Sequence, residues 1–225
     1  MIQIAEHLFS PAEIGVIDRV EQDAAGPIRR VTCCGLMRPA WLVTAPPSRM
    51  DALAATLLTG SGPVPLSLRP GRRLWARPRR IVRELRPEGA AFRLEFDATD
   101  PREEDIEPSV MDWSVSTWGE TTTVEVPGTA PAPFSFRITA RGTLEAISLS
   151  DGTRAIHWMG AMESGDTLEL DGISRTARLN GTPADTLLAG DWPLAGPGNT
   201  PLRFEDDVDG DHLADIRVTW RNRWW

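Results

Sequence analysis

The sequence contains no lysine and no tyrosine, and it has only three histidines and two cysteines. All 24 basic residues are arginines, which we interpret as GC-rich codon bias rather than selection for bidentate contacts. Cys33 and Cys34 are adjacent, so on a strand their side chains point to opposite faces and a disulfide between them would be strained. We expect two reduced cysteines, one buried and the other less so.

Several recognisable signals are also missing. No apolar run approaches the roughly 20 residues that span a bilayer, and the N-terminus lacks the basic start and apolar core of a signal peptide. There is no Gly-x-Ser-x-Gly elbow, no His-Glu-x-x-His and no glycine-rich phosphate loop, and the histidines share no useful spacing. These absences favour a protein that is made in a cytoplasm and has no membrane partner. They also favour a protein that is not an enzyme and needs no cofactor or metal.

Charge is unevenly distributed along the chain. Residues 1–102 carry 15 Arg against 11 acidic residues, a net charge of +4, whereas the remainder carries −12. Between them lies the acidic segment PREEDIEP (101–108), which is bracketed by prolines and is the best linker candidate. We therefore predict two domains, 1–108 and 109–225.

Eight arginines fall between Arg69 and Arg86. One interpretation is a nucleic-acid patch, and the other is a strand pair whose exposed face forms salt bridges with an acidic neighbour. Because the segment has few interleaved aromatic residues and the whole chain is negative, we favour the second and expect no specific nucleic-acid binding.

The first domain is predicted to be β-rich with one helix. Residues 48–58 fit the helix, with Ser48 as the N-cap and Gly60 and Gly62 after its end. Its apolar stripe comprises Met50, Leu53, Ala54, Leu57 and Leu58. Strands are predicted near 64–68 and 72–76, and Pro78 is expected to end the second of them. A third strand is predicted over 91–96, with Phe92, Leu94 and Phe96 facing inward. Ser10–Glu13 resembles a helix start, but the residues after it favour a loop that leads into a strand.

The closing third alternates apolar and polar residues between turns. Asp171-Gly172 predicts a two-residue type I′ hairpin, and Asn180-Gly181 predicts a second turn. Asp209-Gly210 precedes a last strand with Ile216, Val218 and Trp220 on one face. Seven or eight short strands of this kind indicate an antiparallel β-sandwich.

The order of motifs in this half resembles that of the distal tail proteins of long-tailed bacteriophages and related tail-like particles. The motifs are a proline-rich cluster, an "xIxIxG"-like strand, a "GDxLxID" strand, a strand ending in "NG", an "L-x-pG-x-N" turn and an "RWW"-like terminus. They correspond here to Pro131–Pro133, Phe136–Thr139, Gly165–Asp171, Arg178–Gly181, Leu194–Asn199 and Arg223–Trp225. The segments RRLWARP and FRLEFDATDP of the first domain also fit this family.

The resemblance implies a mainly β protein with a structural role. The first domain would form a ring of six copies, and the second would be a galectin-like β-sandwich. The ring would join the tail tube protein to the tail tip or baseplate hub, with the tape measure protein as a further candidate partner. Its location would be the distal end of the virion tail, after assembly in the host cytoplasm.

One segment has the spacing of a cation loop. Asp207, Asp209, Asp211 and Asp215 offer oxygen ligands at positions 1, 3, 5 and 9 around a glycine turn, as calcium loops do. His212 stands where the similar loops of β-propellers usually have glycine. The alternative is a hairpin tip at Asp209-Gly210 with solvated acids. The alternative function is therefore a calcium-stabilised, carbohydrate-binding or adhesive β-sandwich.

The chain ends in tryptophans. Trp224 and Trp225 are adjacent, so in an extended strand one can fill the sandwich core while the other packs on a second surface. Tryptophan is enriched at interface centres, which favours a subunit or interdomain contact. Equally, both could cover the core at its edge.

Overall fold

The computed structural model describes residues 1–10, 14–24, 26–37, 49–60, 62–86 and 89–225. In these ranges the chain is mainly antiparallel β-structure with one α-helix, as predicted. It divides into two compact units: unit 1 comprises Met1–Ile106 with Trp225, and unit 2 comprises Glu107–Trp224. None of the described helices is long and apolar enough to cross a membrane.

Unit 1 is built around one twisted antiparallel sheet. The elements are β1 (Ile2–Ile4), β2 (His7–Phe9), β3 (Gly15–Asp23), β4 (Gly26–Met37), α1 (Arg49–Thr59), β5 (Val64–Ser67), β6 (Arg72–Arg86), β7 (Gly89–Ala98) and β8 (Glu103–Asp105). The strands of the sheet run in the order β2-β1-β5-β6-β7-β4-β3, and β8 pairs with the start of β6.

The core of unit 1 lies on one face of this sheet. Phe92, Leu94 and Phe96 of β7 are buried as the alternation predicted, and Cys33 of β4 lies directly opposite Leu94. Both cysteines are free, Cys33 buried and Cys34 half-buried, which confirms the prediction for them. Burial raises the pKa of the Cys33 thiol to about 12, so this thiol stays protonated and unreactive.

The predicted position of the helix is confirmed, but one residue of its predicted apolar stripe does not face the core. Leu53 and Leu57 are buried, but Leu58 is 74% exposed and faces away from the core. Gly60 follows the last turn, and its N–H donates to the Thr56 carbonyl oxygen at 3.2 Å. The predicted cap Ser48 lies outside the described residues, as do the side chains of Met50 and Ala54 and residues 11–13 of the predicted entry loop.

The interruption predicted at Pro78 is wrong, whereas the segment 101–108 predicted as a linker does contain the boundary between the units, at Ile106 and Glu107. Pro78 does not end its strand, because β6 runs through it to Arg86 and absorbs it in a β-bulge between Pro78 and Arg80. The acidic segment 101–108 is not simply a solvated linker, since Glu103–Asp105 form β8 and Glu103 is buried.

The strands of unit 2 are β9 (Ser109–Val115), β10 (Thr121–Val126), β11 (Ala132–Pro133), β12 (Ser135–Ala140), β13 (Leu144–Ser150), β14 (Ala155–Met162), β15 (Thr167–Asp171), β16 (Thr176–Leu179), β17 (Thr182–Pro183), β18 (Leu188–Gly190), β19 (Leu194–Ala195), β20 (Gly198–Glu205), β21 (Ala214–Trp220) and β22 (Arg223–Trp224), with a 3₁₀ turn at Asp185–Leu187. They form a five-stranded sheet in the order β10-β20-β13-β14-β18, a six-stranded sheet in the order β17-β16-β15-β12-β21-β9, and the small pair β11-β19. The buried side chains of these sheets form one hydrophobic cluster, as in a β-sandwich.

The turn predictions have mixed outcomes. Asn180-Gly181 is confirmed as a two-residue turn, because both residues have positive φ and Leu179 pairs with Thr182. The Asp171-Gly172 prediction is wrong: Asp171 pairs with Thr176, so the loop has four residues. The φ of Gly172 is not positive, and Arg175 takes the left-handed position with φ 57°.

The acidic segment around Asp209-Gly210 is not a hairpin tip. It joins β20 of the five-stranded sheet to β21 of the six-stranded sheet, so the chain crosses between sheets there. The last long strand is as predicted, with Ile216, Val218 and Trp220 buried.

Candidate assembly and binding surfaces

The motifs that carry the family resemblance lie together in unit 2. The proline-rich cluster forms β11, which pairs with the "L-x-pG-x-N" motif through Ala132 and Ala195. Phe136 of the next motif lies opposite Leu170, and Leu168 lies opposite Leu179 of the "NG" strand. These motifs therefore supply several of the strand pairings of the sandwich.

Gly172 is needed there for space rather than for its backbone angle. A Cβ at this position would overlap the carbonyl oxygen of Phe134 and the Nε1 atom of Trp192. The Trp192 indole N–H donates to that same carbonyl oxygen at 2.6 Å. The Asp-Gly pair thus marks a close approach between two segments, which the turn rule alone does not reveal.

Asp151 is a buried carboxylate that fixes a neighbouring turn. It accepts the N–H groups of Thr153, Arg154 and Leu194 at 2.7–2.9 Å. Burial by itself would raise the pKa of Asp151, but these three N–H groups lower it on balance. The role of Asp151 is therefore structural.

The outer face of the six-stranded sheet is a charged, solvated surface. Arg217 donates from Nε to Asp112 at 2.8 Å, and Arg137 donates to Glu169 at 3.2 Å. The hydrogen bond from Arg217 lowers the pKa of Asp112, and the same bond raises the pKa of Arg217. Because these groups are exposed, solvent screens them and they contribute little to stability.

Three of the eight arginines in the arginine-rich segment pair with acids of their own unit. Arg69 contacts Glu103 at 3.1 Å, Arg73 contacts Glu104 at 2.8 Å, and Arg79 lies 3.9 Å from Asp97. These pairs support the interpretation as a strand face balanced by acidic neighbours.

A buried ion network in unit 1 was not predicted. Arg29 is 4% exposed and donates to Asp18 from Nε and Nη2, to the carbonyl oxygen of Pro101, and to Glu103 at 2.8 Å. Glu103 is 1% exposed and also contacts Arg69. Asp18 comes first among the carboxylates that raise the pKa of Arg29. No local pattern signals this network, since Arg29 and Glu103 are 74 residues apart.

One edge of the unit 1 sheet offers an assembly surface. β3 is nine residues long, and among the described strands it pairs only with β4. Two of its apolar side chains are exposed, Ile17 by 52% and Val20 by 61%. A long edge strand with exposed apolar residues is a template for pairing with another chain.

The aspartates of the predicted calcium loop are not brought together. Asp215 lies on β21, where it accepts from Ser114 at 2.8 Å and lies 3.3 Å from Arg141. His212 contacts Asp206, a fully buried carboxylate that the sequence reading did not single out. Throughout the described part of the chain, no three His, Cys, Asp or Glu side chains form a group that could hold a metal ion. The calcium hypothesis stays a prediction from spacing.

The terminal tryptophans do not fill the core. That place is taken by Trp220, which is 7% exposed and meets the Phe134 ring edge-on with centroids 5.8 Å apart. Trp224 is half-buried, and Trp225 is 64% exposed.

Comparison with known proteins agrees with the motif order. Residues 127–224 match the family model "Siphovirus-type tail component, C-terminal domain". No curated protein sequence matches the chain. The fold is similar to the crystal structure of SPP1 Dit, described as a paradigm of the hub adsorption apparatus in phages that infect Gram-positive bacteria. That match has a TM-score of 0.65 and 14% identity, and covers 100% of this chain and 92% of the other.

A second solved structure, the VP2 subviral particle of infectious bursal disease virus, matches with a TM-score of only 0.22 and carries no argument. It shares 13% identity over 93% of this chain and 55% of that one. The family model and the likeness to SPP1 Dit together confirm the resemblance to distal tail proteins.

Proposed function

We propose that this chain is a structural, non-enzymatic ring protein at the distal end of a phage tail or a related tail-like particle. The observation that carries the proposal is the agreement of two findings: a tail-component family model on residues 127–224, and a likeness to SPP1 Dit over the whole chain. Six copies would join the tail tube protein to the tip hub, with the tape measure protein as a candidate partner. Assembly would take place in the host cytoplasm.

Ring formation needs a contact that repeats from one copy to the next. A ring uses two different surfaces of each subunit, one meeting the other on the neighbouring copy. The β3 edge of unit 1 supplies one such surface, because it is long and exposes Ile17 and Val20. The opposite edge of the sheet, β2, has only three residues, so the two edges differ as such a contact requires.

The experiment is to measure the mass of the purified protein by light scattering and to image it by negative-stain electron microscopy. We expect rings for the natural sequence and mainly monomers for Ile17→Lys and Val20→Lys, because a lysine on an edge strand opposes pairing. Leu58→Lys is the matched control, since Leu58 is equally apolar and exposed in the same unit but lies on α1. A natural protein that stays monomeric at every concentration would refute the ring. Intact rings in both β3 variants would place the contact elsewhere.

A further inference from the structure

A rigid turn in unit 2 holds a tryptophan in solvent. Trp118 lies between β9 and β10 and is 57% exposed. Glu120 Oε2 accepts the N–H groups of Ser116 and Thr117 at 2.9 and 3.3 Å, and these bonds lower the pKa of the Glu120 carboxyl. The Glu120 carbonyl oxygen in turn accepts the N–H of Phe204 at 3.0 Å, which ties the turn to β20.

Arg203 fixes one side of this tryptophan. Its guanidinium lies 5.3 Å from the centroid of the Trp118 ring, and its Nη2 lies 2.6 Å from Glu205. Gly119 makes the arrangement possible: its φ is 67°, and a Cβ there would lie 2.9 Å from Arg203 Nη2. The tryptophan and the arginine are thus preorganised, with most of the indole still open to solvent.

Beside Arg203 is a pocket of about 410 Å³, within the size range of small-molecule sites. Its lining combines three hydroxyl groups, two arginines and small apolar surfaces: Thr121, Ser150, Thr153, Arg154, Arg203, Gly152, Ala155 and Pro201. The acids that contact the two arginines, Glu205 and Asp151, are not part of the lining. The pocket therefore presents two guanidinium groups to a ligand, each paired with an acid behind it, and no carboxylate.

We propose that this pocket and Trp118 bind a polyhydroxylated anion, namely a sugar that carries a carboxylate or a phosphate. An aromatic face is a flat apolar surface on which a sugar ring can lie. Arginines bind carboxylate and phosphate groups through paired hydrogen bonds. The hydroxyls of Thr121, Ser150 and Thr153 both donate and accept, which suits the hydroxyls of a sugar.

The lining disfavours an acidic peptide as the ligand. A peptide anchor buries large apolar side chains, and the apolar part of this lining consists only of glycine, alanine and proline. The inference goes beyond the proposed ring role and does not depend on it, since every residue of the site lies in unit 2.

The test is a titration of the full-length, ¹⁵N-labelled protein followed by NMR at low salt. The probes are glucuronate, glucose 6-phosphate, glucose, inorganic phosphate and a short glutamate peptide. We expect the amide signals of residues 118–121, 150–154 and 203 to shift with one or both charged sugars. A response to glucuronate indicates a carboxylate ligand, and a response to glucose 6-phosphate indicates a phosphate ligand. Trp118→Ala and Arg203→Gln should each weaken the affinity at least about tenfold. The control Arg137→Gln, which removes an exposed arginine paired with a glutamate on the other sheet, should leave it unchanged.

Three results would overturn the proposal. The first is that none of the probes shifts these amides at about 10 mM, ten times the concentration that half-saturates a site of millimolar affinity. The second is that the Trp118 and Arg203 variants bind as the natural protein does. The third is that inorganic phosphate or a short glutamate peptide binds the same amides as tightly as the charged sugars.

Discussion

Units 1 and 2 are both antiparallel β-structures, yet they are held together differently. Unit 2 pairs strands that are far apart in the chain, such as β9 with β21 and β10 with β20, and its buried carboxylate Asp151 is satisfied by backbone N–H groups from two segments. Unit 1 leaves a nine-residue edge strand and buries an ion network whose members come from distant parts of the chain. The comparison shows that similar sheets can be anchored by backbone N–H groups on a buried carboxylate in one unit and by buried charge pairing in the other.

The largest expected effect tests the charge pairing in unit 1. Arg29→Met leaves Glu103 buried without its main partner, which should destabilise unit 1 by about 3–5 kcal/mol. Hydrogen exchange reports each unit separately, so the amides of β4 and β7 should lose protection while those of β12 and β21 keep theirs.

The control for that experiment is Arg30→Gln. Arg30 pairs with Glu21, but both side chains are about 40% exposed, so the cost should stay below about 1 kcal/mol. Equal losses of stability in the two variants would show that the buried ion network contributes no more to stability than an exposed ion pair does.

The distinction between local and long-range contacts, which applies to both units, explains what the sequence could predict. The alternation of Phe92, Leu94 and Phe96 and the Asn180-Gly181 turn are local signals, and both are confirmed. The Pro78 bulge could not be predicted, because it depends on the β7 strand that pairs with β6.

The candidate surfaces were harder to predict than the fold, for the same reason. The partners Arg29 and Glu103 are separated by most of unit 1, and the Trp118–Arg203 site joins a turn to strands that come 30 to 85 residues later. Spacing did suggest a calcium loop at Asp207–Asp215, but the described side chains there do not converge on a metal position. Residue spacing predicts local geometry well and says little about which distant segments meet.

A smaller loss of stability is expected at Gly172, the glycine in close contact with Phe134 and Trp192. Gly172→Ala introduces a Cβ against the Phe134 carbonyl oxygen and Trp192, so it should cost about 1–3 kcal/mol as overpacking does. Gly181→Ala is the matched control, because nothing lies within 4 Å of its added Cβ and only the positive φ opposes it, at a cost of about 1 kcal/mol. Urea unfolding followed by Trp fluorescence measures both. A Gly181 variant less stable than the Gly172 variant would mean that backbone angle outweighs close contact in this unit.

The last expected effect is of similar size at neutral pH and diminishes in acid: it is the pH dependence of the Asp151 anchor. The pKa of Asp151 is lowered in the folded protein, so its carboxylate contributes stability above the unfolded value near 4, and this contribution is lost as pH falls through the folded pKa. Asp151→Asn turns an amide N–H₂ toward one of the N–H donors and should cost about 1–3 kcal/mol at pH 7. Urea midpoints of the two proteins at pH 7 and pH 3 should therefore converge as the pH falls. If the gap stays constant, the negative charge contributes nothing, and unit 2 is anchored at Asp151 by hydrogen-bond geometry alone.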